Sequence, residues 1–319
     1  MKVLFITYPM AFHTPGGGEM QLLAYKKYLE AQGVQVDLFD PWKPNFLAYD
    51  LVHYFSVIGG SVHICNFIKQ LGLPLVITSS LWITEETKHL YPVDEIRHQL
   101  SLADMIIGNS NIECDHMASV LGLTREKFAT VYNGVEEIFL EPISPKLFRT
   151  EFGITEPFIL NVGNIEPRKN QLSLAKAMKS FPEMKLVLIG HIRDPKYAEE
   201  VFAEGGEQII HIGTLPHGSE LHRSAYAACE VFCLPSALET PGLAALEAAA
   251  CGAKIAITEV GATKEYLKES VSYLNPDDIN SFISSINQWI KENKLDKLNN
   301  HFRWQHTVIK LQEIYHAIS

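Results

Sequence analysis

The sequence predicts an α/β chain made of two Rossmann-like domains, each a parallel sheet with crossover helices. Three observations carry that expectation. Short apolar runs of strand type alternate with segments of helical period, as βαβ units require. The series occurs twice, and between the two occurrences Glu141-Pro142-Ile143-Ser144-Pro145-Lys146 interrupts both periodicities. The chain has 319 residues, 47% of them hydrophobic, which suits two cores better than one, since single cores seldom grow beyond roughly 250 residues.

In the first domain, residues 2–8, 34–39, 51–54, 75–77, 105–108 and 129–131 read as strands. The clearest helix between them is 19–32, with Met20, Leu23, Ala24, Tyr28 and Ala31 on one side and Gly33 as its stop. A second series follows, with strands at 158–162, 185–189, 209–212, 231–234 and 254–258. The expected domains are therefore 1–142 and 143–300, with 301–319 as a closing segment. Within that segment Val308, Leu311, Ile314, Tyr315 and Ile318 share one face of an amphipathic helix. Its polar face carries Lys310 and Glu313 in balance, which disfavours a helix lying on anionic lipid.

Composition narrows the partners. The formal charge is −10, whereas binding to a nucleic-acid backbone needs clustered Lys and Arg. Residues 1–150 hold 11 Lys plus Arg against 16 Asp plus Glu, a balance of −5, which leaves −5 for the remainder. No basic half exists to dock on an anionic membrane, and only a weak peripheral contact through a local patch stays open. No apolar stretch approaches the ~20 residues of a membrane span, and the chain begins in a strand pattern rather than a signal peptide. The expectation is a cytoplasmic protein, at most peripheral on the inner membrane face. Five cysteines, odd in number and without paired CxxC spacing, argue against disulfides and a zinc site. No Asp-x-Asp pair and no His or Cys cluster of ligand spacing occurs, so no metal or other cofactor is expected.

The chemistry concentrates around two acids. Glu239 and Glu247 stand in Ser-Ala-Leu-Glu-Thr-Pro-Gly-Leu-Ala-Ala-Leu-Glu-Ala-Ala-Ala-Cys-Gly, the second among alanines and leucines. An ionised carboxylate there needs partners, and a merely solvated helix face fits poorly. Thr240 reads as an N-cap and Pro241 as the first residue of a helix running to about Cys251. The amides of Gly242, Leu243 and Ala244 would then face an anion. One ligand carrying a diphosphate between two sugars would satisfy the arrangement, with hydroxyls on both acids. Arg168 and Lys169 follow the first strand of the second domain, where they can neutralise a departing diphosphate, although a basic pair in a turn is often only solvated. The Gly16-Gly17-Gly18 run follows the first strand and leaves backbone open to a phosphate or sugar. Read alone it is equally a turn, and it lacks the third glycine of a dinucleotide fingerprint.

Five segments resemble, in order along the chain, the motifs of retaining family 4 glycosyltransferases. They are Gly16-Gly17-Gly18-Glu19, Tyr132-Asn133-Gly134-Val135, Asn161 to Asn170, the Glu239 to Glu247 stretch, and His301-Phe302-Arg303-Trp304. The resemblance implies the GT-B fold, two Rossmann-like domains facing across a cleft with the C-terminal helix crossing back to the first. It implies transfer of a hexosyl group from a nucleoside-diphosphate sugar to a hydroxyl of a glycan or lipid-linked glycan, as in polysaccharide biosynthesis, with retention and without metal. Glu239, Lys169 and Arg168 would be the catalytic residues. The donor would also touch Gly16, Gly17 and Asn164, the base would lie on the backbone of Thr214 and Leu215, and Thr240, Pro241, Gly242 and Leu243 would meet phosphate or sugar. Glu247 would grip the ribose.

The pattern is departed from in three places. Asn164 occupies the position where relatives carry an arginine, so Arg168 is expected to replace that contact. Glu239-Thr240-Pro241-Gly242 lacks the aromatic ring common in relatives, so donor identity does not carry over. After 75–77 relatives present a histidine, where this chain has Thr78-Ser79-Ser80. Ser80, His13 ahead of the glycines and His53 at a strand end are the acceptor-side candidates, and a structural role for either histidine stays open. Two other classes also stay open: a nucleotide-sugar 2-epimerase of the same architecture, and a non-catalytic nucleotide-sugar binding module.

Overall fold

The structure is a computed structural model and describes residues 1–13, 15–291 and 302–319. It divides into two units, Met1–Gly134 with Phe302–Ser319, and Val135–His301. His301 and the expected boundary at 300 lie outside the described residues.

The first unit holds six strands, β1 (Lys2–Thr7), β2 (Gln35–Leu38), β3 (Leu51–Phe55), β4 (Leu75–Thr78), β5 (Met105–Gly108) and β6 (Phe128–Thr130). They form one parallel sheet in the order β2-β1-β3-β4-β5-β6. The second unit repeats the plan with β7 (Phe158–Val162), β8 (Lys185–Ile189), β9 (Ile209–Gly213), β10 (Val231–Leu234), β11 (Ile255–Thr258) and β12 (Ser272–Leu274), ordered β12-β11-β10-β7-β8-β9. Central strands such as Leu-Val-Ile-Thr of β4 and Val-Phe-Cys-Leu of β10 are buried throughout, the signature of parallel strands covered by helices on both faces. β12, three residues of Ser-Tyr-Leu at the sheet edge, was outside the expected series because it shows neither an apolar run nor alternation.

Each sheet reverses its order once, at β1/β3 in the first and at β7/β10 in the second. At such a point the loops leaving two adjacent strands diverge and open a crevice beyond their carboxyl ends. Most of the candidate site residues lie on the loops that leave these four strands.

The division falls at Gly134 rather than at 142. Phe139 is fully buried and its ring packs on His217, His222 and Tyr226. Beyond it, Ser224 Oγ donates to the Ser144 carbonyl at 2.6 Å and receives the Phe148 amide at 2.9 Å. The proline-rich stretch is thus integral to the second unit. The helix Trp304–Ile318 packs in the first unit against the helix Gly17–Ala31, with Trp304 edge-on to Tyr25 and Thr307 Oγ1 donating to the Tyr132 carbonyl at 2.9 Å. All five cysteines are free. Among the described residues no helix is long and apolar enough to cross a membrane.

His53 is a correction. It lies mid-strand in β3, fully buried, with Nδ1 2.5 Å from the Tyr315 hydroxyl and Nε2 2.7 Å from Thr78 Oγ1. A central parallel strand has no solvent face, so the residue cannot meet an acceptor. Burial lowers its pKa to about 3. Between the unfolded value near 6.5 and that folded value the unfolded chain binds one more proton, so stability falls as pH falls through this window. His53→Gln is expected to remove about 2 kcal/mol of the stability that the wild type loses between pH 7 and pH 5, read from urea midpoints at the two pH values. Parallel declines for both proteins would contradict a neutral buried imidazole.

Candidate functional site

In the second unit β7 and β10 run side by side, with Val231 opposite Ile159. Asn161, buried in β7, donates its Nδ2 to the Cys233 carbonyl of β10 at 2.8 Å and receives Gln171 Nε2 at 3.3 Å. The loop after β7 turns through Pro167–Lys169 and closes on Asn170, whose Nδ2 donates to the carbonyls of Pro235 and Pro276 at 3.2 and 2.8 Å. The Ala237 amide returns a hydrogen bond to the Arg168 carbonyl at 2.9 Å. Loop 163–170 and loop 235–242 are therefore stitched together along their backbones.

That stitching brings the two sequence-predicted charges into contact. Lys169 Nζ donates to Glu239 Oε1 at 2.6 Å, and both side chains are desolvated, 14% and 7% exposed. Arg168, 51% exposed, has its Nη1 3.9 Å from the same oxygen. Burial alone would push the Glu239 carboxyl up, but Lys169 and then Arg168 outweigh it and the net direction is down. Glu239 is thus an ionised, buried carboxylate at neutral pH.

Its backbone is fixed from the far side. Glu239 forms a parallel bridge with Gly261, its amide donating to the Val260 carbonyl at 3.2 Å and its carbonyl receiving the Ala262 amide at 3.0 Å. Gly261 has φ +104, and a Cβ there would sit 2.1 Å from the Glu239 carbonyl oxygen, so only glycine fits. The helix does not begin where expected. It runs Leu243–Ala250, with Gly242 as N-cap at φ +84; Thr240 and Pro241 form the bend before it, joined by a cis peptide bond. The expected Thr240 cap is replaced by a glycine in the left-handed region. A Cβ at 242 would crowd Leu234 at 3.0 Å and Glu239 Oε2 at 3.4 Å.

Glu247 is buried on this helix and already partnered. Oε1 receives His217 Nε2 at 2.8 Å and Oε2 receives the Tyr226 hydroxyl at 3.0 Å. Burial, and then Glu247 itself, push the Tyr226 phenol well up, so it remains a donor. Thr214, exposed, and Leu215, half-buried, leave β9 just ahead of His217. Asn164 is half-buried, and its carbonyl receives Gln171 Nε2 at 2.9 Å.

The first unit places its candidates separately. Gly16 caps the helix Gly17–Ala31, and its amide donates to Glu19 Oε2 at 2.7 Å, so the glycine run is a helix start rather than an open loop. His13 ends an exposed turn. Ser80 lines a pocket of about 120 Å³ at the carboxyl ends of β1, β3 and β4, with Tyr8, Phe55, Ser56, Ile58 and Leu81 among its walls. Ser56 and Ser80 both hold positive φ, +119 and +46, conformations that non-glycine residues rarely adopt. Gly16 and Gly17 do not line this pocket; Gly18 and Glu19 do. Among the described residues no cluster of three His, Cys, Asp or Glu is arranged to hold a metal ion.

Sequence reasoning missed Glu166, Arg193, His217 and Tyr226. Glu166 stood inside a quoted motif without a role. His217, His222 and Tyr226 converge through a loop and a helix that no local pattern marks as chemical.

Residues 146–303, about half of the chain, match the family model described as glycosyl transferases group 1. Two curated relatives are a D-inositol 3-phosphate glycosyltransferase from Mycobacteroides abscessus, 26% identical over 67% of this chain and 52% of the relative, and an uncharacterized glycosyltransferase from Methanocaldococcus jannaschii, 24% identical over 72% and 64%. The matches thus span only about half to two-thirds of these relatives' length. Sucrose-phosphate synthase from Thermosynechococcus elongatus has a similar structure, with a TM-score of 0.81 at 20% identity over 99% of this chain and 98% of that one. Anabaena HepE in complex with UDP and glucose gives 0.80 at 19%, over 99% and 100%. The fold is that of the GT-B glycosyltransferases.

The desolvated pair and its exposed neighbour should differ in stability. Lys169→Met strands a buried carboxylate and is expected to cost about 3 kcal/mol, whereas Arg168→Met, half in water, should cost less than about 1 kcal/mol. Urea unfolding of both variants checks this ranking, and equal losses would show that Glu239 is not held chiefly by Lys169.

Proposed function

We propose that this chain is a retaining glycosyltransferase that moves a hexosyl group from a nucleoside-diphosphate sugar to a hydroxyl of a glycan or lipid-linked glycan, without a metal. The observation that carries the reading is the 2.6 Å contact of Lys169 with buried, ionised Glu239 at the carboxyl ends of β7 and β10, with Arg168 beside it. A lysine and an arginine supply positive charge where a diphosphate would accumulate negative charge, the part a divalent cation plays in other transferases. The first amides of the helix Leu243–Ala250 have no acceptor within their own helix, and its N-terminus favours an anion. Glu239 would hold hydroxyls of the transferred sugar as the ring becomes oxocarbenium-like. Glu247, polarised by His217 and Tyr226, would take the ribose.

In the reaction the bond between the anomeric carbon and the β-phosphate oxygen breaks and the diphosphate leaves with the electron pair. The acceptor oxygen bonds to that carbon on the face just vacated, and its proton passes to a phosphate oxygen. The acceptor side is assigned to the first unit, where the Ser56 and Ser80 pocket offers hydroxyls beside apolar walls, as sugar rings require. Uridine donors are the first to test, because Anabaena HepE binds UDP.

Incubating the full chain with a panel of UDP-, GDP- and ADP-sugars separates the classes. The reading predicts slow nucleoside diphosphate release with the anomeric configuration kept. An epimerised nucleotide sugar would identify an epimerase, and saturable binding without turnover a binding module. Glu239→Gln should lower turnover at least ~100-fold while nucleoside diphosphate still binds; wild-type turnover in that variant would remove the assignment.

A further inference from the structure

Glu166 lies two residues before Arg168, is buried, and has no task in the reaction as described. Its two oxygens face two guanidinium groups. Oε2 receives Arg193 Nη1 in a hydrogen bond of 3.0 Å, while Oε1 lies 3.3 Å from Arg168 Nη2. The two contacts differ in kind. The Arg193 contact is directed, whereas Oε1 is buried and takes no directed hydrogen bond, so charge alone links Arg168 to Glu166, while Arg168 Nη1 donates to the Leu238 carbonyl at 3.4 Å. Arg168 is also the exposed member of the cluster, at 51%, and the same Nη1 lies 3.9 Å from Glu239 Oε1. One half-exposed guanidinium thus sits between two desolvated carboxylates.

We propose that Glu166, fixed by Arg193, is a positioning residue that keeps Arg168 at the edge of ion-pair range from Glu239, short of a bidentate contact. Resting on the transferase reading above, this assigns Glu166 the role of keeping two jobs apart. Glu239 retains oxygen lone pairs for sugar hydroxyls, and Arg168 stays available to the diphosphate. A carboxylate that accepts a bidentate guanidinium has spent most of its acceptor sites. With the charge of Glu166 removed, the half-exposed Arg168 has the desolvated Glu239 as its nearest anion. It would close on Glu239 from 3.9 Å and disable both residues together.

The test uses the full chain and its Glu166→Gln, Glu166→Asp and Glu239→Gln variants, together with the Glu166→Gln/Glu239→Gln double variant. UDP and GDP binding is measured by calorimetry and turnover with the sugar donor that the panel identifies. Glu166→Gln is expected to weaken nucleoside diphosphate affinity several-fold and to lower kcat roughly tenfold, with Glu166→Asp recovering most of both because it keeps the charge. In the Glu239→Gln background the affinity loss should vanish, since the competing anion is gone. Tighter binding by Glu166→Gln, as simple removal of a negative charge would give, overturns the proposal. So does an affinity loss that persists undiminished in the double variant, or an aspartate variant no better than the glutamine one. If Glu239→Gln is inactive and Glu166→Gln is fully active, only the positioning role fails. If wild-type protein binds no nucleoside diphosphate, the transferase reading fails and takes this role with it.

Discussion

A lysine–glutamate pair withdrawn from water, Lys169 to Glu239, is the contact around which the second unit is arranged. Taking two charges out of solvent costs several kcal/mol per ion, and their attraction repays it only when geometry is tightly controlled. The controls are visible. Asn161, Gln171 and Asn170 brace the loop after β7, and Gly261 and Ala262 brace the backbone of Glu239. The reversal of strand order at β7/β10 puts the two loops next to each other in the first place. A hydrophobic pair of similar volume would hold the fold as well, so the ionic one implies a use. Preorganised charge in a dry site acts on a ligand without reorganising during the reaction.

The first unit repeats the topology with different chemistry. At its own reversal, β1/β3, the pocket is lined by the hydroxyl residues Thr7, Tyr8, Ser56, Ser79 and Ser80, by apolar residues such as Leu22, Phe55 and Leu81, and by one carboxylate, Glu19. Two serines at positive φ sit in its wall, a local cost that the surrounding strands must sustain. One scaffold thus carries a paired lysine and carboxylate in one unit and a hydroxyl-rich pocket with a single carboxylate in the other.

Much of the fold was legible because parallel strands are covered on both faces and read as plain apolar runs. Eleven strands were placed from apolar runs or, as in the edge strand Gln35–Leu38, from alternation, while the edge strand Ser272–Leu274 gave no such signal. The charged site was legible because Lys169 and Glu239 follow strands directly, at positions where a sheet delivers residues to a ligand. What depended on distant contacts was not. His53 reads as a strand-end histidine until Tyr315, far along the chain, is seen to receive it. The helix starts at Leu243 rather than Pro241, after Gly242 in the left-handed region, a backbone conformation that the local pattern did not mark. The partners of Glu247, and the two arginines on Glu166, come together only in the folded chain. The division at Gly134 likewise reflects the burial of Phe139 against three residues of the second unit, which no local proline signal reveals.

The central claim is that a diphosphate arrives at the Lys169–Glu239 pair. Carboxylate-selective NMR can follow the titration of Glu239 in the free protein and at saturating UDP or GDP. The account predicts a carboxyl that titrates below the usual carboxylate range when free and at higher pH once the bound diphosphate draws on Lys169 and adds negative charge beside it. A titration unmoved by a nucleoside diphosphate that demonstrably binds would place the ligand elsewhere and contradict the account.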